Sequence, residues 1–413
     1  MNAHILTVGD ELLIGQVINT NQAFIARRLN AIGIDVALMV TVGDALEELG
    51  HAIRASWEAA DCTIVTGGLG PTHDDVTRTA LVRFFRTELV TDDGVRRRIA
   101  ELLARRNVPW TAASDNQALV PRAATVIPNP VGTAPGLLFR GGGKCMIVLP
   151  GVPDEMKQIM DASVVPLLRP LAGGAAIRHR TLLTTGIAES FLASQLGDLD
   201  SLLGGASLAF LPSPSGVRLR ITVHASSGDE ADARVREAET RIRARVSRYI
   251  YGVDDEDMET ILGGMLTARG LTIAVAESCT GGLIAHRLTN VRGSSAYLER
   301  CLVTYSNASK TALLGVDPSL FASHGAVSRE VAAAMAAGVR ASAGTGIGLS
   351  TTGIAGPDGG TPEKPVGTVW IGIDDPEGTL AMKFQFSGTR LVVKERAAQA
   401  ALELLRRRLL KLE

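Results

Sequence analysis

The feature that most constrains this chain is an alternation of short apolar runs with helical patterns. Residues 3–8 form an apolar run that ends at Gly9-Asp10, and a helical pattern follows over 22–32. A second run over 34–42 ends at Gly43-Asp44 and leads into a helical stretch reaching Trp57. A third, Cys62 to Val65, ends in TGGLGPTHDD (66–75). Such alternation specifies βαβ units on a parallel sheet, because each crossover helix must bury its apolar stripe against a sheet face. Helical stretches near 77–86 and 92–107 continue it. Residues 137–139 and 146–149 read as a strand pair around the turn Arg140–Lys144. A helix over 153–168 then closes a first domain near residue 170.

At 413 residues the chain exceeds the roughly 100–200 residues of one domain. The segment Leu171-Ala-Gly-Gly-Ala175 reads as a linker. A strand (180–186), a helix (188–199), two strands (207–211 and 217–224) and a charged helix (229–247) then make a small α+β unit. The acidic stretch 254–257 marks a second boundary. The remainder reads as helix 258–269, strand 271–276, helix 282–290, strand 301–305, helix 328–342, strand 347–352, strands 366–373 and 379–386, and helix 391–411. The expected class is multi-domain α/β, with domains at 1–170, 171–253 and 254–413.

Composition removes several function classes. Lys plus Arg number 42 and Asp plus Glu 43, so the basic excess of a nucleic-acid binder is missing. Aromatics are 4% of residues, too few for base-stacking platforms. Cys62, Cys145, Cys279 and Cys301 form no CxxC pair, which points away from a zinc knuckle or a disulfide framework. No run approaches the ~20 apolar residues of a membrane helix, and no signal peptide fits the first residues. A reduced, cytoplasmic setting without membrane contact is expected.

The richest motif is AESCTGG (276–282), between an apolar strand and a helix opening at Leu283. A hydroxyl or thiol on this turn is held out of the sheet, and the amides of Thr280, Gly281 and Gly282 are expected to face an anion above it. A plain helix cap by Ser278 or Thr280 is the simpler reading. Ser278, Cys279 and Thr280 are all candidate nucleophiles, and a Cys thiolate is intrinsically the better one. VTYSNASK (303–310) brings Tyr305, Ser306, Asn307 and Lys310 together. With no His in these motifs, Lys310 can act as base if burial lowers its pKa. TTGIAGPDGG (351–360) leads into a long Gly/Pro-rich loop, in which Gly353, Ile354, Ala355 and Gly356 can offer backbone donors. In FSGTR (386–390), Arg390 opens the last helix. A cation is disfavoured there unless an anionic ligand such as phosphate meets it.

In order and spacing these four motifs resemble the C-terminal domain of the CinA (competence/damage-inducible) family, over about residues 256–412. The resemblance implies a nicotinamide-mononucleotide deamidase that forms nicotinate mononucleotide and ammonia and needs no cofactor. It implies Ser278 as nucleophile or substrate anchor, Tyr305 and Lys310 as its activating pair, and Arg390 near the phosphate. The family often reads GDR with a second Arg four residues on; here Thr389 precedes Arg390 and Lys394 holds the later position.

The N-terminal motifs GDELLIGQVINTN (9–21), TGGLGPTHDD (66–75), NPVGTAPG (129–136) and PGVPDEM (150–156) fall at strand ends, where open α/β sheets bind ligands. Candidate nucleotide contacts are Asp10, Glu11, Asn19, Gly67, Gly68, Gly70, Thr72, Asp74, Asp75 and Gly132. Carboxylates, Asp74 and Asp75 foremost, can hold a hard divalent metal ion; helix capping is the competing role for that pair. The motifs resemble the CinA-family domain that is similar to molybdopterin-binding domains, over about 1–170, which implies metal-dependent ADP-ribose pyrophosphatase activity. The middle unit resembles the family's KH-like module but lacks an obvious basic GxxG clamp, so nucleic acid is not an expected partner. The resemblance also implies a homodimer. The competing readings are a non-catalytic nucleotide-sensing module at the N-terminus and an accessory factor in DNA uptake or repair.

Overall fold

The computed structural model describes residues 1–70, 76–173 and 176–412. The chain divides into two contact units, Met1–Arg178 with Val223–Arg234, and His179–Thr222 with Val235–Glu413.

In the first unit the strands are β1 (Asn2–Val8), β2 (Asp35–Val42), β3 (Cys62–Thr66), β4 (Leu89–Thr91), β5 (Leu119–Pro121), β6 (Thr125–Ile127), β7 (Gly136–Gly141) and β8 (Lys144–Leu149). Six of them form a sheet in the order β2-β1-β3-β8-β7-β6, while β4 and β5 pair separately. The β2-β1-β3-β8 stretch is parallel and β7 turns antiparallel onto β8. Alternate residues enter two cores. Ile5, Ile64 and Ile147 pack with the helix residues Ile25, Leu29 and Met156 on one face. Leu6, Val65 and Val148 pack with Ile53, Leu81 and Phe139 on the other. A parallel sheet covered on both faces needs such nearly continuous apolar strands, which is why these runs read so clearly in the sequence.

A middle sheet follows, of β9 (Ala176–Thr184), β10 (Ser207–Ser213), β11 (Gly216–Ala225) and β12 (Ile250–Val253), in the order β10-β11-β9-β12. The long helix Gly228–Val246 lies between β11 and β12 in sequence.

The last domain contains β13 (Ile273–Glu277), β14 (Leu298–Val303), β15 (Ile347–Gly353), β16 (Thr368–Asp375) and β17 (Gly378–Gln385), ordered β14-β13-β15-β16-β17. The first three strands of that order are parallel; β16 and β17 are antiparallel. Helices Met258–Ala268, Leu283–Thr289 and Arg390–Leu410 bury Leu262, Leu288 and Ala401 against Val275, Leu349 and Ile371 on one face. Helix Arg329–Ala343 covers the opposite face, burying Val331, Met335 and Val339 against Ala274 and Ala276. That helix lies directly on sheet backbone, because a Cβ on Gly348 would stand 2.1 Å from the Ala336 carbonyl oxygen and one on Gly372 would stand 2.4 Å from that of Ala332.

Two short helices, Asn307–Leu314 and Pro318–His324, were not expected from the sequence. β14 ends at Val303, where the 301–305 reading carried it further. The Thr304 amide donates sideways to the Glu277 carbonyl, and Ser306 then caps the first of these helices. Among the described residues no helix is long and apolar enough to cross a membrane.

Gly348→Ala should cost about 1–3 kcal/mol through overpacking. Gly264, with open space around its Cβ position in helix Met258–Ala268, should gain about 0.5–1 kcal/mol as Ala. Urea midpoints followed by Trp370 fluorescence should therefore move in opposite directions.

Candidate functional site

The carboxyl ends of β13, β14 and β15 meet around Ser278. Its amide donates to the Thr351 carbonyl (3.0 Å), which fixes the residue at the sheet edge. Its Oγ accepts from Lys310 Nζ at 3.2 Å, and the same Nζ donates to the Thr304 carbonyl at 2.8 Å. Lys310 is the fourth residue of helix Asn307–Leu314, and Ser306 caps that helix through the Ser309 amide (3.1 Å). The cap thus sets the turn that delivers the lysine. Lys310 is only 1% exposed. Burial disfavours the ammonium and pulls its pKa below the ordinary lysine value, with a smaller opposing effect from Cys279.

The three adjacent candidates on the turn are not equivalent. Cys279 lies in the hydrophobic core, and burial pushes its thiol up to about 12, so it carries no thiolate near neutrality. Thr280 is fully buried with its hydroxyl 2.8 Å from that of Thr351. Only Ser278 contacts an amine.

The turn amides behave differently from the sequence expectation. The Gly281 amide donates to the Ser278 carbonyl (3.1 Å), and the Gly282 amide to the Glu277 carboxylate (3.0 Å). The same carboxylate, 1% exposed, also takes the amides of Ile284 (3.2 Å) and Ala285 (2.8 Å). The start of helix Leu283–Thr289 is therefore filled by the protein's own anion. Of the three amides expected to face a ligand, Thr280's alone is spent on neither of these; it lies with the Cys279 amide against the Cys279 sulfur, where both oppose the effect of burial on the thiol. Gly281 and Gly282 both adopt left-handed backbone, which explains the glycine pair without any ligand contact.

Tyr305 is exposed, and its hydroxyl accepts from Arg390 Nη2 (2.8 Å); no bond joins it to Ser278 or Lys310 among the described residues. Arg390 also donates to the Gly356 carbonyl (2.7 Å), so it ties the loop after β15 to the residue after β14. Lys394, one helical turn on, brings its Nζ within 3.4 Å of the Cβ position of Gly281. In the loop itself, Gly353 still belongs to the β15 ladder opposite Val369, and the Ile354 amide is spent on the Thr368 carbonyl (2.9 Å). Ala355 and Gly356 are buried beyond it. Asn307 is exposed at the first helical position. Sequence reasoning missed Glu277, Thr304 and Thr351. Only Glu277 left a signal, an acid just ahead of a helix start.

In the N-terminal domain the glycines serve the backbone. A Cβ on Gly67 would stand 2.3 Å from the Val8 carbonyl oxygen, and one on Gly68 would stand 2.3 Å from Thr77 Oγ1. The Gly70 carbonyl accepts from Arg78 (3.2 Å). Asp10 and Asp44 cap each other, each amide donating to the other's carboxylate at 3.1 Å. Glu11 lies over Gly9. Asn19 caps helix Thr20–Ala31 through the Gln22 amide (3.0 Å). The Gly132 amide donates to Asn129 Oδ1 (2.9 Å), and Asn129 Nδ2 donates to Glu155 (2.6 Å). Burial raises the Glu155 pKa, with Asn129 opposing. Thr72, Asp74 and Asp75 lie outside the described residues. Among the described residues no three His, Cys, Asp or Glu side chains converge as metal donors; Asp74 and Asp75, the expected ligands, are not among them.

A hydroxyl in contact with a desolvated lysine, on the sheet edge of an α/β domain that follows two others, defines a three-domain protein with a serine–lysine site. Family models match in the same succession: a probable molybdopterin binding domain over 4–170, the damage-inducible protein CinA KH domain over 179–252, and the CinA C-terminal domain over 255–409. A CinA-like protein of Salinibacter ruber is 48% identical over 411 residues, covering 99% of this chain and 100% of its own length. A putative competence-damage inducible protein of Caldicellulosiruptor bescii is 43% identical over 410 residues, covering 99% and 100%. A solved competence/damage inducible protein of Agrobacterium tumefaciens, at 37% identity and a TM-score of 0.35, covers 36% of this chain and 94% of its own. The chain belongs to the CinA family.

In the unfolded chain Lys310 regains an ordinary lysine pKa, about 10.4. Between its lowered native value and that value, the unfolded chain binds a proton that the native state does not, so stability rises with pH across the window. The stability difference between wild type and Lys310→Met should therefore shift in favour of wild type as pH rises from 7 to 10. Denaturant titrations of both proteins at several pH values should show this; a flat difference would contradict the burial effect.

Proposed function

We propose that the C-terminal domain is an amidohydrolase that converts nicotinamide mononucleotide to nicotinate mononucleotide and ammonia. The single observation that carries this reading is the Lys310 Nζ–Ser278 Oγ contact at 3.2 Å, made by a buried lysine whose pKa is lowered. A neutral amine at that distance takes the seryl proton as Oγ attacks the carboxamide carbon. In this reading the backbone of the turn that follows Ser278 meets the tetrahedral oxyanion. The resulting Lys310 ammonium returns the proton to the leaving nitrogen, and ammonia departs. Lys310 then draws a proton from water, hydroxide attacks the acyl-serine, and the proton returns to Oγ as nicotinate mononucleotide leaves.

Arg390 and Lys394 supply the charge for the phosphate, since the nearby helix start is closed by Glu277. Tyr305 orients Arg390 through its hydroxyl rather than relaying the seryl proton. The Lys310 proton cycle asks for the neutral amine at the start of each turnover, so kcat should fall as pH drops through the lowered Lys310 pKa.

Ammonia release from nicotinamide mononucleotide by the whole chain tests the reading. Ser278→Ala and Lys310→Ala should abolish it, Cys279→Ala should keep it, and Arg390→Ala should act mainly through KM. A folded wild type that releases no ammonia would refute the deamidase, and persistence in Ser278→Ala would remove Ser278 from the chemistry.

A further inference from the structure

Glu277 is the least expected group in the site. It is the last residue of β13, immediately before Ser278, and only 1% exposed. A buried carboxylate is costly unless donors satisfy it. Here three amides do so: Gly282 at 3.0 Å and Ile284 at 3.2 Å on one oxygen, and Ala285 at 2.8 Å on the other. All three belong to the far side of the turn that holds Ser278. The carboxylate therefore closes residues 278–282 into a loop pinned at both ends. One end is the strand, where the Ser278 amide bonds to the Thr351 carbonyl and the Glu277 carbonyl accepts from Thr304. The other end is the first turn of helix Leu283–Thr289.

The same residue thus reaches both halves of the Ser278–Lys310 pair. Its side chain sets the path of the turn. Its carbonyl holds the amide of Thr304, whose own carbonyl receives Lys310 Nζ (2.8 Å).

We infer that Glu277 is a positioning residue for the proposed amide hydrolysis: its carboxylate locks the Ser278 turn and thereby fixes the nucleophile. This rests on the deamidase reading for its catalytic consequence, while the locking of the turn stands apart from any activity. A Gln at this position keeps the size but turns one acceptor into an NH2 donor facing amide N–H groups. An Asp keeps the charge on a side chain one methylene shorter.

Two measurements on the full chain test this. The first is amide hydrogen exchange across 278–290 in wild type, Glu277→Gln and Glu277→Asp. Protection at Gly282, Ile284 and Ala285 should fall at least about tenfold in Glu277→Gln, while helix Arg390–Leu410 keeps its protection. The second is steady-state ammonia release from nicotinamide mononucleotide. Displacing the nucleophile should lower kcat by about 10- to 100-fold with KM little changed, and Glu277→Asp should recover part of the loss. Unchanged protection at the three amides overturns the lock. Lost protection with unchanged kcat overturns its catalytic consequence, as does failure of both variants to fold, which makes the carboxylate a requirement of the fold alone. If wild type releases no ammonia, the deamidase reading fails while the exchange result still decides the lock.

Discussion

The site depends on one burial. Lys310 places an amine where water does not solvate it, between a seryl hydroxyl and a backbone carbonyl. That burial lowers its pKa and brings it into proton exchange range of Ser278. Everything around the pair serves to make the arrangement tolerable. The Ser306 cap starts the helix at the residue that puts Lys310 on the inward turn, and Thr304, held to β13 by its amide, turns its carbonyl to the amine. The fold accepts a polar pair here because parallel strands end their ladders together, which leaves carbonyls and amides available at one edge.

Two ionisable side chains are buried within this edge and are handled in different ways. The lysine is desolvated, which favours its neutral form, and its Nζ meets two oxygen atoms. Glu277 is met by three amide donors, which satisfy its buried oxygens. The cations left in contact with solvent, Arg390 and Lys394, sit on a helix packed against the same edge.

Much of this was legible in the sequence, and the reasons differ by element. The inner strands β1, β3, β8, β13 and β15 are buried on two faces, so their apolar runs announce them. Ser278 and Lys310 stood out because a turn rich in small polar residues and a lysine after a strand are unusual together. The helix Asn307–Leu314 was not legible. It is eight residues long, and its start reads as loop because Ser306, Asn307 and Ser309 favour caps and turns as readily as helix. The amide assignments were also beyond reach. Glycines allow a ligand to approach backbone, but they equally allow backbone to fold back on a preceding acid, and only the path of the chain distinguishes the two. Asn19 and the Asp10–Asp44 pair show the same ambiguity, since capping residues and ligand contacts share chemistry.

The loop after β15 closes at its neck. Gly367 donates to Ile354 (2.7 Å), Ile354 to Thr368 (2.9 Å) and Phe386 to Gly367 (2.9 Å), so three strands are stitched together below it. The register of β16 against β15 is thereby set before the loop begins. Residues between Pro357 and Val366 can be lengthened, shortened or exchanged without transmitting the change to the sheet. Variation in reach or shape above the Ser278 edge is in this way uncoupled from the stability of the strands that build it, and the segment is the natural place for this scaffold to diversify.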